Sequence, residues 1–308
     1  MSRAAPKPFA PVPFASLPET PRLPHAFARC DAEDVVIDSA PFGRTKVHVR
    51  SMGSGPPLLL VHGLMTSSYS WRYVYEPLAE RFRVIAPDLP GCGRTEAKPD
   101  RPHSARALAT LIGELQQKLG IEGCAAVGNS LGGYLCLQRV LDDERAFSRL
   151  VVVHAPAFAE LRIRALHRAL DLPGARAALR IAIHRDPVKW AFRNVHYRDE
   201  TLKSLEEARE YGAPLATHEG AAAFARWLHD ALDPAELVAF GESLRRREPS
   251  LPLLLLYARE DPMVPPSVGP RLAALLPRAR FEWMDATSHF AHVDTPALVL
   301  ERIMPFLA

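Results

Sequence analysis

An α/β fold, built on a mostly parallel, doubly wound sheet with an inserted block of helices, is what this sequence predicts, and three observations predict it. Short apolar runs, P-L-L-L-V-H-G, R-V-I-A-P-D, C-A-A-V-G-N-S and R-L-V-V-V-H, recur between amphipathic segments. Strands buried on both faces by crossover helices have this pattern. After His154 the rhythm stops, and helical patterns such as L-R-I-R-A-L-H-R-A-L and T-L-K-S-L-E-E-A-R-E take over. It resumes at L-P-L-L-L-L-Y-A-R-E-D, so the helical stretch is an insertion into a strand-helix chain.

Taken in order, the first 29 residues carry Pro6, Pro8, Pro11, Pro13, Pro18, Pro21 and Pro24 without an apolar leader segment, which predicts an extended arm or disordered tail and a cytoplasmic protein. D-V-V-I-D and T-K-V-H-V-R then alternate with period two, the signature of a half-buried antiparallel hairpin. Ser104 opens a crossover helix that places Leu108, Leu111, Ile112, Leu115 and Leu119 on one face. Beyond the insertion come a helix near Val268 to Leu276, the strand A-R-F-E-W-M-D and a last helix from Thr295. The expected organisation is a proline-rich arm over residues 1–29, a core over 30–154 and 250–308, and a helical lid over 155–249. Because ligands of open α/β sheets bind at the carboxyl ends of the strands, an insertion leaving there would cover the site.

Composition narrows the function classes. With 308 residues, 48% hydrophobic and 24% charged, the chain is an ordinary globular protein, and a net charge of +3 is too mild for nucleic-acid binding. No run of about 18 apolar residues predicts a membrane span. Cys30, Cys92, Cys124 and Cys136 lie far apart with no C-x-x-C pair and read as free thiols, Cys124 and Cys136 near the turn described next. No histidine pair has the H-E-x-x-H spacing, and neither G-x-G-x-x-G after a strand nor G-K-[ST] occurs, so the expected chemistry uses no metal and no cofactor, with a small molecule as substrate.

Gly128-Asn129-Ser130-Leu131-Gly132 follows an apolar run and precedes a helical one, the strand, sharp turn and helix context of a nucleophile elbow. A serine there is pushed out above the sheet, and glycines beside it avoid a collision across the bend. Serine is a weak nucleophile until a histidine takes its proton, and that histidine needs a carboxylate to fix its tautomer. Asp261, after L-L-L-L-Y, and His289, after the following strand, supply both. The order Ser130, Asp261, His289 is that of the α/β-hydrolases.

From about Val35 to the C-terminus the chain resembles the α/β-hydrolase superfamily. H-G-L-M-T-S-S-Y-S-W with P-D-L-P-G-C-G-R-T is similar to the branch of haloalkane dehalogenases, epoxide hydrolases, esterases and carbon-carbon bond hydrolases. The first two carry aspartate at the elbow. Ser130 departs from them, and G-N-S-L-G-G is instead similar to serine esterases and carbon-carbon hydrolases. An oxyanion needs preorganised N–H donors, each worth roughly 3 kcal/mol in the transition state. Leu131, which follows the nucleophile, is one candidate, and the resemblance implies Leu64 as the other, with Met65 a substitute. Asp285 ends its strand, Asp294 matches a structural carboxylate before proline, and Glu260 would point to solvent. His292 suits packing or hydrogen bonding, His62 anchors the loop of the first motif, and Asp88 with Gly91 and Gly93 shapes a turn.

The lid is asymmetric in charge. Between Leu161 and Arg198 nine basic residues face only Asp171 and Asp186, whereas from Asp199 to Glu242 three basic residues face ten acidic ones. The plain expectation is two solvated halves that attract one another. The sharper ones are an arginine reaching the pocket to bind a substrate carboxylate, or a membrane-facing surface, which needs an apolar stripe beside the arginines. Phe158, Trp190, Phe192 and Trp227 are expected in the lid core, with one of them free to face the cavity. The functional expectation is a serine hydrolase of small or medium carboxylic esters or lactones. Its rivals are a carbon-carbon hydrolase of vinylogous diketones and a receptor-like binder on the same fold.

Overall fold

The computed structural model describes residues 7–308. Its strands are β1 (Asp31–Ser39), β2 (Gly43–Met52), β3 (Pro57–Val61), β4 (Arg83–Pro87), β5 (Gly123–Asn129), β6 (Phe147–Val153), β7 (Leu253–Ala258) and β8 (Arg280–Met284). They form one sheet in the order β1-β2-β4-β3-β5-β6-β7-β8. The β1–β2 hairpin and its junction with β4 are antiparallel, and every other pair is parallel. The order doubles back between β3 and β5, whose register pairs Val61 with Gly128. This is the crevice at which open α/β sheets bind ligands.

The continuous apolar runs follow from burial on both faces. Leu58 and Leu60 of β3 pack with Leu254 and Leu256 of β7 in one core, and Leu59 and Val61 with Leu253 and Leu255 in the other. Each such side chain contributes about 2 kcal/mol when taken fully out of water. Helix α1 (Tyr75–Ala79) covers the first core, and α2 (Ala105–Leu119) and α3 (Leu131–Asp142) cover the second. Ser104 caps α2 by accepting the Ala107 N–H, and Gly120, at φ +62°, ends it with a left-handed turn that few other residues tolerate.

Between β6 and β7 lie α4 (Leu161–Asp171), α5 (Ala175–Arg185), α6 (Pro187–Asn194), α7 (Leu205–Gly212), α8 (His218–Arg226), a π-helical turn over Trp227–Ala231 and α9 (Pro234–Arg246), with short 3₁₀ turns among them. The helical pattern T-L-K-S-L-E-E-A-R-E is broken rather than continuous. Its first residues form a 3₁₀ turn, Glu200–Leu202, and Ser204 then caps α7 by accepting the Glu207 N–H, because a serine hydroxyl competes well for the free donors of a helix start. The chain closes with α10 (Val268–Leu275), α11 (Ala291–Asp294) and α12 (Pro296–Leu307).

The expected attraction between the two charged halves is made only through histidines among the described residues, His196 with Glu200 at 3.3 Å and His229 with Asp171 at 2.9 Å. Among the described residues Arg176 pairs with Asp171, Lys189 with Asp186 and Arg198 with Glu260, and none of the nine basic residues of the first half reaches an acid of the second. The acid-rich half is instead tied to the core. Arg72, fully buried, donates to Glu207 of α7, whose carboxylate also accepts the Tyr197 hydroxyl at 2.8 Å. The N-terminal arm adds further ties. Phe9 and Leu205 donate backbone N–H groups to Arg198 and Pro18 carbonyls, and Phe14 meets the edge of Phe192 at 5.3 Å.

Candidate active site

β5 ends at Asn129, and Ser130 turns the chain directly into α3 with φ +54° and ψ −125°, a region costly for a residue with a side chain. Three contacts hold it there. The Ser130 N–H donates to the Val153 carbonyl at 2.7 Å. A Cβ on Gly128 would lie 2.6 Å from Gly133 Cα, and one on Gly132 would lie 2.2 Å from the Val61 carbonyl oxygen, so only hydrogen fits inside the bend. Both glycines are therefore set by close approach of backbone to backbone.

Asp261 and His289, 28 residues apart in sequence, meet side by side: Asp261 Oδ2 lies 2.7 Å from His289 Nδ1. Asp261 Oδ1 accepts the N–H groups of Met263 and Val264 at 2.6 and 2.9 Å, which fixes the carboxylate plane. Burial alone would raise this carboxyl, but the charge and hydrogen bond of His289, the nearby His154 and the Val264 N–H bring it below the usual carboxylate range. An ionised Asp261 requires the proton of His289 on Nδ1, which leaves Nε2 free. Ser130 and His289 both line one cavity. The Ser130 hydroxyl makes no hydrogen bond to a described residue, as is common before substrate draws such groups together.

The loop after β3 brings Leu64 to the same cavity. The Gly63 carbonyl accepts from His62 Nδ1 at 2.8 Å and Thr66 Oγ1 at 3.0 Å. Since that carbonyl and the Leu64 N–H share one trans peptide, fixing the oxygen on one side presents the N–H on the other. The Leu131 N–H is among the first four of α3, which have no intrahelical acceptor. Neither N–H donates to a described residue. His62 is itself fixed, its Nε2 accepting the Leu89 N–H at 3.0 Å, and Asp88 binds the N–H groups of Ser68 and Arg94.

The cavity has a volume of about 340 Å³ and is mostly apolar. Leu64, Leu131 and Val268 of the sheet side face Phe158, Ile163, Trp190 and Leu228 of the helical insertion. Phe158 and Trp190 are thus cavity walls, whereas Trp227 is buried and donates Nε1–H to the Pro90 carbonyl. Arg162 lies at the mouth, exposed, with Nη1 on the Pro262 carbonyl at 3.2 Å.

The other acidic candidates are placed away from His289 Nδ1. Asp285 is exposed and pairs with Arg259, and Glu260 pairs with Arg198. Asp294 accepts N–H groups of Ser288 and Arg198 at 2.8 and 2.9 Å, bracing the loop before His289, and burial pushes its carboxyl up to about 6. His292 packs on Trp71 with ring centroids 4.3 Å apart.

Two buried residues beside this pair were given no role by the sequence. Asn129 donates its amide to the His289 carbonyl at 3.1 Å. His154, at φ +53°, accepts the Ala258 N–H on Nε2 at 2.8 Å, and its ring centroid lies 5.5 Å from that of His289. Burial pushes His154 down to about 4, so it is neutral, with its proton on Nδ1 because Nε2 is already an acceptor. The available signal was its place after V-V-V, at the carboxyl end of the strand beside the elbow. Two groups of described residues have donor atoms close enough to share a metal ion, His154 with Asp261 and His289, and His167 with Asp171 and His229. In the first the donors already bond to one another or to Ala258, and in the second Arg176 bridges Asp171 and His229 at 3.3 and 3.2 Å.

A serine on a strained strand-to-helix turn beside the crevice of a doubly wound sheet, sharing one cavity with a buried acid-histidine pair, is a hydrolase-type arrangement. The family described as alpha/beta hydrolase fold matches residues 56–296, and the chain belongs to it. It is 30% identical over 272 residues to an uncharacterised protein of Mycobacterium tuberculosis, covering 84% of this chain and 77% of that one. It is 26% identical over 253 residues to the uncharacterised hydrolase YugF of Bacillus subtilis, covering 81% and 89%. A thermophilic esterase from Thermogutta terrifontis shares the fold, with a TM-score of 0.70 at 23% identity over 90% of this chain and 98% of that one. The protein is an α/β-hydrolase. No helix among the described residues is long and apolar enough to cross a membrane.

Proposed function

We propose that the protein is a serine hydrolase that cleaves small or medium, largely apolar carboxylic esters or lactones through an acyl-enzyme on Ser130. The observation that carries this reading is the convergence of Ser130 and His289 on one apolar cavity, with Asp261 locked onto the far nitrogen of the imidazole. His289 Nε2 takes the Ser130 proton as the alkoxide attacks the carbonyl carbon. The oxyanion rests on the N–H groups of Leu64 and Leu131, while Asp261 stabilises the imidazolium. Collapse breaks the ester bond, and the proton on Nε2 leaves with the alcohol. Water then gives its proton to the same nitrogen, attacks the acyl carbon and releases the acid and Ser130.

The cavity volume suits a short to medium acyl chain, with Phe158 and Trp190 as its side walls. A chain-length series of p-nitrophenyl esters tests this: kcat/KM should peak at short to medium chains, and the absence of turnover across the series would reject the esterase reading. The second reading, carbon-carbon cleavage of a dienol carboxylate, is favoured by Arg162 at the mouth. That residue is exposed, so it holds a substrate carboxylate only weakly. Efficient turnover of a 2-hydroxy-6-oxo-dienoate that is lost in Arg162→Ala would exchange the two readings.

A further inference from the structure

Among the described residues the three most exposed large apolar side chains are Leu161 at 83%, Ile181 at 71% and Leu172 at 64%. All three belong to α4, α5 and the turn between them. On α4, Leu161, Ala165 and Arg168 follow the i, i+4, i+7 spacing of one helix face, and Leu172 continues it. The opposite side of α4 supplies buried Leu170 and the cavity-lining Ile163. On α5, Ala177, Ile181 and His184 share an exposed face flanked by Arg180 and Arg185, while Ile183 is buried beneath.

The charge of this face is as uneven as its hydrophobicity. Leu161 to Arg185 holds six arginines against Asp171 alone, in a chain whose total is only +3, and Asp233, which caps α9, and Glu242 of that helix line a groove with Arg164 and Arg168 without pairing with them. Arg164, Arg168, Arg180 and Arg185 form no ion pair among the described residues. A solvated helix pair would ordinarily carry interspersed acids and no exposed Leu or Ile at such positions. Aliphatic side chains set among unpaired arginines match a surface that is apolar at depth and anionic at its rim. Nucleic acid offers the anion but no use for Leu161 and Ile181.

The face also adjoins the way into the active site. Arg162, Leu166 and Met263 line the cavity and are themselves exposed, so the cavity opens beside the outer face of α4. We propose that the α4–α5 face docks on an anionic lipid surface, with Leu161, Leu172 and Ile181 dipping into the acyl boundary and the arginines on the headgroups. Docking places the mouth of the mostly apolar cavity against the bilayer, where an apolar ligand enters without crossing water. The proposal concerns attachment and stands apart from the identity of the reaction.

The test uses the full chain as Ser130→Ala, so that hydrolysis cannot alter the lipid and failure of the catalytic reading leaves the result intact. Sedimentation with phosphatidylcholine vesicles containing about 30% phosphatidylglycerol should pellet the protein, and pure phosphatidylcholine should not. Raising the salt from roughly 50 to roughly 300 mM should release most of it. Leu161→Asp/Ile181→Asp and, separately, Arg164→Glu/Arg168→Glu should each lower the partition coefficient about tenfold or more. Circular dichroism and urea midpoints of the same double variants should match those of the parent, which shows that the fold survives. Equal pelleting with neutral and anionic vesicles, binding insensitive to both double changes, or no pelleting would overturn the proposal. So would a dimer in light scattering that dissociates in Leu161→Asp/Ile181→Asp, since a second copy would then be the occupant.

Discussion

Asp261→Asn separates an orienting carboxylate from a merely structural one, because each oxygen of Asp261 has its own task. Oδ2 faces His289 Nδ1 at 2.7 Å, and Oδ1 accepts two backbone N–H groups. Asparagine keeps the shape and supplies only one acceptor. If its NH₂ is turned toward Met263 and Val264, donors face donors in a buried place, which costs about 1–3 kcal/mol per unsatisfied group. The favoured orientation therefore puts NH₂ against His289 Nδ1. That nitrogen must then be the acceptor, and the imidazole proton moves to Nε2, where the lone pair for Ser130 should be. Trapping the wrong tautomer lowers kcat by about 10⁴, or about 5.5 kcal/mol of barrier. Initial rates on a short p-nitrophenyl ester, with circular dichroism and urea midpoints to show that the fold is kept, measure the effect. A rate within tenfold of the parent would refute the assignment, and so would Asp294→Asn doing greater damage to kcat at equal stability.

Three further outcomes are expected. Ser130→Ala should cut kcat by about 10⁴ or more with little change in unfolding, because the hydroxyl faces the cavity and its loss opens no core void; a fluorophosphonate should label the parent at Ser130, and a labelled alanine variant would move the nucleophile elsewhere. Arg72→Met should destabilise the protein by about 3–5 kcal/mol by stranding the Glu207 carboxylate, and Arg72→Met/Glu207→Leu should recover most of it; equal urea midpoints for the single and double variants would contradict this account. Burial pushes His103 down to about 4, whereas in the unfolded chain it titrates near 6.5. The unfolded state therefore binds the extra proton first, and this contribution, present above about pH 6.5, is lost as pH falls toward 4, up to about 3 kcal/mol. His103→Gln should flatten the stability profile over that window, and parallel profiles would show that the histidine does not carry the slope.

Much of this molecule was legible in one dimension. Apolar runs buried on two faces need no partner to be recognised, so Leu58 to Val61 and Leu253 to Leu256 declared a covered sheet, and Ser104 marked the start of a helix by local hydrogen bonding alone. The elbow was legible for the same reason, since a sharp strand-to-helix turn constrains five consecutive residues. Other features depend on groups remote in sequence. Which carboxylate reaches His289 was settled by the loop after β7, where the Met263 and Val264 N–H groups aim Asp261, while Asp294 turns to Ser288 and Arg198. His154 carried no motif, and its place beside the pair exists only because β6 lies next to β7. The charge halves of the helical insertion were countable in the sequence, yet whether opposite charges meet is a matter of helix packing. Packing left the arginines of α4 and α5 facing outward beside exposed Leu161 and Ile181, because local periodicity sets which residues share a face and only the tertiary structure decides what that face meets.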